Sequence, residues 1–262
     1  MLLEGKVALI IGAAKGFGRV CAGHFAQEGA KIIVADIDDS EGQKTIESIM
    51  SSGKEAAFLH VDVRSVGELE KVIHTASNIY DRIDIFWYNA GVFFPGHIEV
   101  IQEEDYDCEM EVGLKGAVFG TKFIIPVMKN GGGGCILYTS SMVGLRPNPY
   151  NKSYSLSHGL EKAGIVMLMR CVVEPLAAYN IRVNCICPGP IPTKLWEDIM
   201  NQRAISAGID PQAARKAAGD RLPIKRLISE DEIARAAAFL VSDQALGVSG
   251  VAFPIDGGYS AI

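Results

Sequence analysis

Short apolar, β-branched runs alternate with longer stretches of helical periodicity along the chain. Lys6–Ile11, Lys31–Asp36, Ala56–Val61, Ile83–Tyr88, Cys135–Ser140 and Arg182–Cys187 carry the strand pattern. Most are apolar almost throughout rather than alternating, as expected of strands covered by helices on both faces. Between them Gly16–Gly29, Asp39–Ser52, Ser65–Tyr80, Glu103–Met128 and Lys152–Tyr179 read as amphipathic helices. Pro175 falls late in the last of these and bends or ends it. Thr193–Leu222 is again helical in pattern and carries Trp196 and Met200.

This alternation predicts an α/β fold: one Rossmann-like domain over residues 1–262, a doubly wound parallel sheet with helices on both faces. A last strand at Val251–Ile255 joins one edge. The chain has no internal repeat and no linker; Gly131–Gly134 reads as a flexible turn into the next strand.

Composition narrows the function classes. Of 262 residues, 48% are hydrophobic, enough for a full core. A net charge of -6 argues against nucleic acid, whose phosphates demand a basic face. No run of about 18 apolar residues suggests a membrane span. The first strand pattern begins at Lys6, so no secretion signal is expected. Six cysteines (21, 108, 135, 171, 185 and 187) form no Cys-x-x-Cys pair and read as reduced thiols in a cytoplasmic setting. Cys185 and Cys187 share a strand face but lack further zinc ligands nearby. His24, His60, His74 and His97 have no metal-ligand spacing either, so no metal is expected.

Candidate chemistry starts after the first strand, at Gly12-Ala-Ala-Lys-Gly16-Phe17-Gly18. Glycines there let the backbone turn tightly and approach a pyrophosphate facing a helix N-terminus. Alone, such a turn is a weak signal; here it lies between strand and helix, and Asp36 ends the next strand. A carboxylate at that point binds both ribose hydroxyls of NAD and repels a 2′-phosphate. Ile37 follows where a basic residue would favour NADP, and Lys15 is a small counter-signal. NAD(H) is the expected cofactor.

Ser141-Met-Val-Gly144 and Tyr154-Ser-Leu-Ser-His158, with thirteen residues from the serine to the tyrosine, resemble the catalytic core of the short-chain dehydrogenase/reductase family. That family uses Ser, then Tyr-x-x-x-Lys, with an Asn on an earlier helix. The resemblance puts His158 in the lysine slot and Gly113 in the asparagine slot. It further implies an adenine contact at Asp62 and Val63, cofactor room at Asn89-Ala90-Gly91, and a nicotinamide turn at Pro188-Gly189. Ile191 main chain and the Thr193 hydroxyl would meet the carboxamide. Ile255-Asp-Gly-Gly258 also fits. Ile11 and Tyr88 depart from the family's Thr and Asn. Residues near 193–222 would form a substrate lid. The helices at Glu103–Met128 and Lys152–Tyr179 would pair subunits into a homotetramer or homodimer.

What the resemblance implies for the proton is that Tyr154 carries it, Ser141 places the substrate oxygen, and His158 tunes the tyrosine or the ribose. Residues four apart share a helix face, so Tyr154 and His158 lie together. Histidine is shorter than lysine and mostly neutral at pH 7. It is a working substitute, part of a retooled site, or a drifted residue in a protein that binds dinucleotide without turnover. Gly113 keeps the carbonyl of the family's proton relay but not the amide. Lys115 and Lys152 have no assigned role. Lys162, two turns beyond Tyr154, is expected on a solvated helix face without a direct one.

Phe93, Phe94, Met142, Leu145, Tyr150 and Trp196 suggest an apolar or cyclic small-molecule substrate. The leading expectation is an NAD(H)-dependent oxidoreductase interconverting a secondary alcohol and a ketone. Two alternatives stay open: a non-redox isomerase, lyase or dehalogenase using Ser141 and Tyr154, and an inactive dinucleotide-binding regulatory subunit.

Overall fold

The computed structural model describes residues 1–147 and 156–262, with only the backbone of Leu195. Seven strands form one parallel sheet: β1 (Val7–Ile11), β2 (Lys31–Asp36), β3 (Ala56–His60), β4 (Ile85–Tyr88), β5 (Gly134–Thr139), β6 (Ile181–Pro188) and β7 (Ala252–Ile255), in the order β3-β2-β1-β4-β5-β6-β7. The expected doubly wound sheet is present, with β7 on the edge. Strand order reverses between β1 and β4, and the crevice that ligands use in such sheets opens there, at the carboxyl ends.

The interior strands are apolar because both faces are covered. All five residues of β1 are buried. Ala8, Ile10, Ile32, Val34 and Trp87 point into one core with Cys21 and Phe25 of α1 (Gly16–Gln27). Leu9, Ile11, Ile33, Phe86 and Tyr88 point into the other with Leu69 and Ile73 of α3 (Val66–Ile79). Each fully buried Ile or Leu contributes about 1.5–3 kcal/mol, so one charge on β1 would cost more than the strand can lose. Ile11, the departure from the family's threonine, is simply a core residue.

Side-chain caps start several helices, among them Asp38 on α2 (Asp39–Ser51), Ser65 on α3, and the reciprocal Ser229–Glu232 box on α10 (Glu230–Val241). Sequence reading passed over α10, although Ser229-Glu-Asp-Glu232 is its start signal. Its Ile233, Ala234, Ala237 and Ala238 lie in the core cluster of α1, where small residues permit close approach.

The helix expected over Glu103–Met128 is three pieces: α4 (Glu103–Glu109), a π-helical turn (Met110–Lys115) and α5 (Gly116–Asn130). Tyr88 explains the interruption. Its buried hydroxyl donates to the Val112 carbonyl at 2.5 Å, filling room left by Gly116, where a Cβ would stand 1.9 Å from the Tyr88 hydroxyl oxygen. After β5 come α6 (Met142–Leu145) and α7 (Leu156–Ala177), which contains Pro175 near its end. The helical stretch over 193–222 is two helices, α8 (Lys194–Ser206) and α9 (Pro211–Asp220).

Candidate active site

Strand register brings the candidates of the first half to one edge. Ile11 pairs with Ala35 and with Tyr88, so Gly12, Asp36 and Asn89 leave the sheet side by side. Gly12 has φ +81°, and a Cβ on it would stand 2.6 Å from the backbone of Ala90. On Gly18 a Cβ would meet the Asn89 amide and the Gly12 carbonyl, both at 2.6 Å. Asn89 Nδ2 donates to Gly12 O at 2.5 Å; its Oδ1 accepts from Thr139, which accepts in turn from the Trp87 indole. That chain clamps the glycine turn onto Asn89-Ala90-Gly91.

The N-terminus of α1 differs from the capped helices. Lys15 precedes it without a side-chain cap, and no acidic residue lies in its first turn. Its amide groups are thus left to an anion, which a dinucleotide pyrophosphate supplies. Phe17 turns inward, its ring 6.5 Å from that of Trp87. At the end of β2, Asp36 accepts from Ala14 N at 2.9 Å and from Asp38 N at 3.1 Å. Lys15 pairs with Asp38 at 2.5 Å. Asp62 is held by Arg64, which lowers its pKa, and Val63 is buried beside it.

On the other side, Gly189 N donates to Ile255 O at 2.9 Å, and a Cβ on Gly189 would stand 2.9 Å from Asp256 Cα. The Pro188-Gly189 turn is thereby locked to the Ile255–Gly258 segment. Ile191 is buried and accepts from Thr193 N; the Thr193 side chain caps α8. A Cβ on Gly16 would come within 3.9 Å of Thr193 Cγ2, so the two turns face each other across the crevice. These residues fit a dinucleotide: Gly12 and Gly18 let the turn pack tightly on Asn89 and Ala90, with an uncapped helix end and the Asp36 carboxylate beside it.

The catalytic half requires a correction. Lys162 is not on a solvated face: it is 5% exposed. Its ammonium donates to Thr139 O at 3.3 Å and lies 3.3 Å from where a Gly91 Cβ would stand. Ser140 Oγ donates to Lys162 O at 2.8 Å, and Gly144 leaves no room for a Cβ against Lys162. These contacts dock the Ser140–Ser141 corner onto α7 at Lys162. Ser141 caps α6 through Val143 N. Tyr154 and Tyr150 lie outside the described residues.

His158 stands one turn before Lys162 on α7, with its ring edge-on to Phe93 at 5.3 Å. Burial, and next the Lys162 charge, push its pKa down to about 3, so the imidazole is neutral at pH 7. Glu161, 1% exposed, lies 3.0 Å from Lys162 Nζ and 3.8 Å from His158 Nδ1. Burial raises its pKa and Lys162 opposes that rise. Glu109, also buried, accepts from Phe94 N at 2.8 Å and from Ser157. Sequence reading passed over Glu161 and gave Lys162 no direct role. The signal was there: His158-Gly-Leu-Glu-Lys162 repeats the four-residue interval of Tyr154 to His158.

A family model described as enoyl-(acyl carrier protein) reductase matches residues 12–260. The chain belongs to the short-chain dehydrogenase/reductase family. It is 38% identical to an uncharacterized oxidoreductase of Thermotoga maritima over the whole of both chains. It is 32% identical to a cyclopentanol dehydrogenase of Comamonas sp., covering 98% of this chain and 97% of that one. Among solved structures, NAD+-bound xylitol dehydrogenase superposes with a TM-score of 0.92 at 28% identity, covering 98% of this chain and 100% of the other. As a short-chain dehydrogenase/reductase, the protein is an NAD(P)(H)-dependent oxidoreductase of secondary alcohols and ketones.

Proposed function

We propose that this short-chain dehydrogenase uses NAD(H) to interconvert an apolar or cyclic secondary alcohol and its ketone, with His158 and Lys162 in the paired roles of proton carrier and buried cation. The observation that carries this reading is the Lys162 ammonium, buried under Gly91 beside the Ser140–Ser141 corner and one helical turn after His158. When bound, the nicotinamide accepts or supplies the hydride. Ser141 orients the substrate oxygen. Neutral His158 takes the hydroxyl proton during oxidation and returns one during reduction. Lys162 supplies positive charge next to the ribose position that Gly91 leaves open.

Preference for NAD(H) is supported by Asp36 and by the engagement of Lys15 with Asp38, which leaves no unpaired cation from Lys15 for a 2′-phosphate. Gly12, Gly16, Phe17, Gly18, Asp62, Val63, Asn89, Ala90, Gly91, Pro188, Gly189, Ile191 and Thr193 form the rest of the cofactor cleft. Phe93, Met142, Leu145 and Trp196 support an apolar substrate, and the cyclopentanol dehydrogenase relative makes a cyclic one the first to try. The helices α8 and α9 act as the lid. Pairing of subunits through α5 and α7 is supported by exposed Val118, Leu160 and Met167. Six free cysteines support a reducing, cytoplasmic setting.

The test is turnover of a panel of cyclic alcohols and ketones by His158→Gln and Tyr154→Phe, with NADH binding followed by fluorescence. His158→Gln abolishes turnover and still binds NADH. Wild-type turnover in that variant, with loss in Tyr154→Phe, would move the proton to Tyr154.

A further inference from the structure

Observations on two packed elements meet at the Glu161 carboxylate. Its oxygens face both members of the His158–Lys162 pair: Oε1 at 3.0 Å from the ammonium, Oε2 at 3.8 Å from Nδ1. On the π-helical turn opposite, residue 113 is glycine. A Cβ there would stand 2.0 Å from Oε1, 2.3 Å from Cδ and 2.6 Å from Cγ of Glu161. Any side chain at 113 therefore excludes this carboxylate from its place. The missing asparagine and the buried glutamate are one feature, since the first makes room for the second.

We propose that Glu161 is the positioning residue for His158: a carboxylate admitted by Gly113 that holds the imidazole as its Nδ1–H tautomer and leaves Nε2 to exchange the substrate proton. This deepens the proposed reading and depends on it for turnover. A histidine tautomer is set by the partner of its second nitrogen, and a carboxylate there also stabilises the imidazolium that forms. The present 3.8 Å must shorten by about 1 Å to make that hydrogen bond, within the range of a side-chain rotation. In alcohol oxidation the hydroxyl proton would pass to Nε2 as the carbon–oxygen double bond forms, and bound NAD+ would take the carbinol hydrogen as hydride. Lys162 balances the resting charge of Glu161. Glu109 is occupied by Phe94 N and Ser157, and the Phe93 ring edge covers His158.

The experiment is nitrogen-15 NMR of the whole labelled protein at pH 7, with the His158 ring signals assigned by their loss in His158→Gln. Wild type is expected in the Nδ1–H tautomer; an Nε2–H tautomer overturns the proposal without needing any Glu161 variant. In Glu161→Gln, kcat for alcohol oxidation falls on the order of 10²-fold with KM little changed. The acid limb of its kcat/KM profile moves to lower pH, because the imidazolium has lost its carboxylate. An unmoved limb and undiminished kcat also overturn it. Should wild type turn over no alcohol or ketone, the functional reading fails while the tautomer still decides the role of Glu161.

Discussion

Lys162→Met converts the buried ion pair into a measurable dependence of stability on pH. Methionine nearly keeps the volume and removes the ammonium 3.0 Å from Glu161. A carboxyl 1% exposed, left without that cation, has its pKa pushed further up by burial. In the unfolded chain it titrates near its ordinary 4.5. Its folded pKa is then raised, so its contribution is intact below 4.5 and is lost as pH rises. Each pH unit over which the variant keeps a proton that the wild type releases costs about 1 kcal/mol, so the variant's deficit is larger at pH 7 than at pH 5. Breaking a buried pair typically costs about 3–5 kcal/mol, which sets the scale at pH 7. For 262 residues the unfolding entropy is about 0.55 kcal/mol/K, so Tm falls by about 5–9 °C at pH 7 and by less at pH 5. Urea denaturation of both proteins at the two pH values, followed by far-UV circular dichroism, measures the difference. An equal cost at both, or less than about 1 kcal/mol at pH 7, refutes the buried pairing.

Two other substitutions probe the supports of the site. Tyr88→Phe leaves the Val112 carbonyl without its donor and lowers stability by about 1–3 kcal/mol in urea denaturation. Tyr138→Phe, whose partner Thr121 still donates to Ala117 O, costs about 1 kcal/mol, and equal losses would show that the π-turn bond is not special. Asp36→Ser removes the acceptor at the ribose position, and the ratio of NADPH to NADH affinity rises at least about tenfold in titration calorimetry. An unchanged ratio would remove Asp36 from cofactor selection.

The fold and the turns that line its crevice were legible because local rules govern them. Uninterrupted apolar runs announce strands buried on both faces. Gly12 and Gly18 are needed where backbone touches backbone, and their spacing from Asp36 follows from one strand, one helix and one strand. The break at Met110–Lys115 was hidden in a continuous helical pattern, because it is imposed from outside by a hydroxyl on β4. Periodicity within a segment carries no record of what a neighbouring strand donates to it.

The proposed proton machinery divides the same way. The sequence by itself placed a serine, a tyrosine, a histidine and two charged residues within one short stretch, and it established the Asp36 carboxylate and the glycine turn. Two tetrad registers fit that stretch, Tyr154 with His158 or His158 with Lys162. Sequence spacing cannot choose between them, since both intervals span one helical turn. Tertiary structure decided that Lys162 is buried at the crevice and that Glu161 fills the space above Gly113. Burial of a charge depends on which surfaces close over it, and here those surfaces come from β4, β5 and the π-helical turn, tens of residues away along the chain.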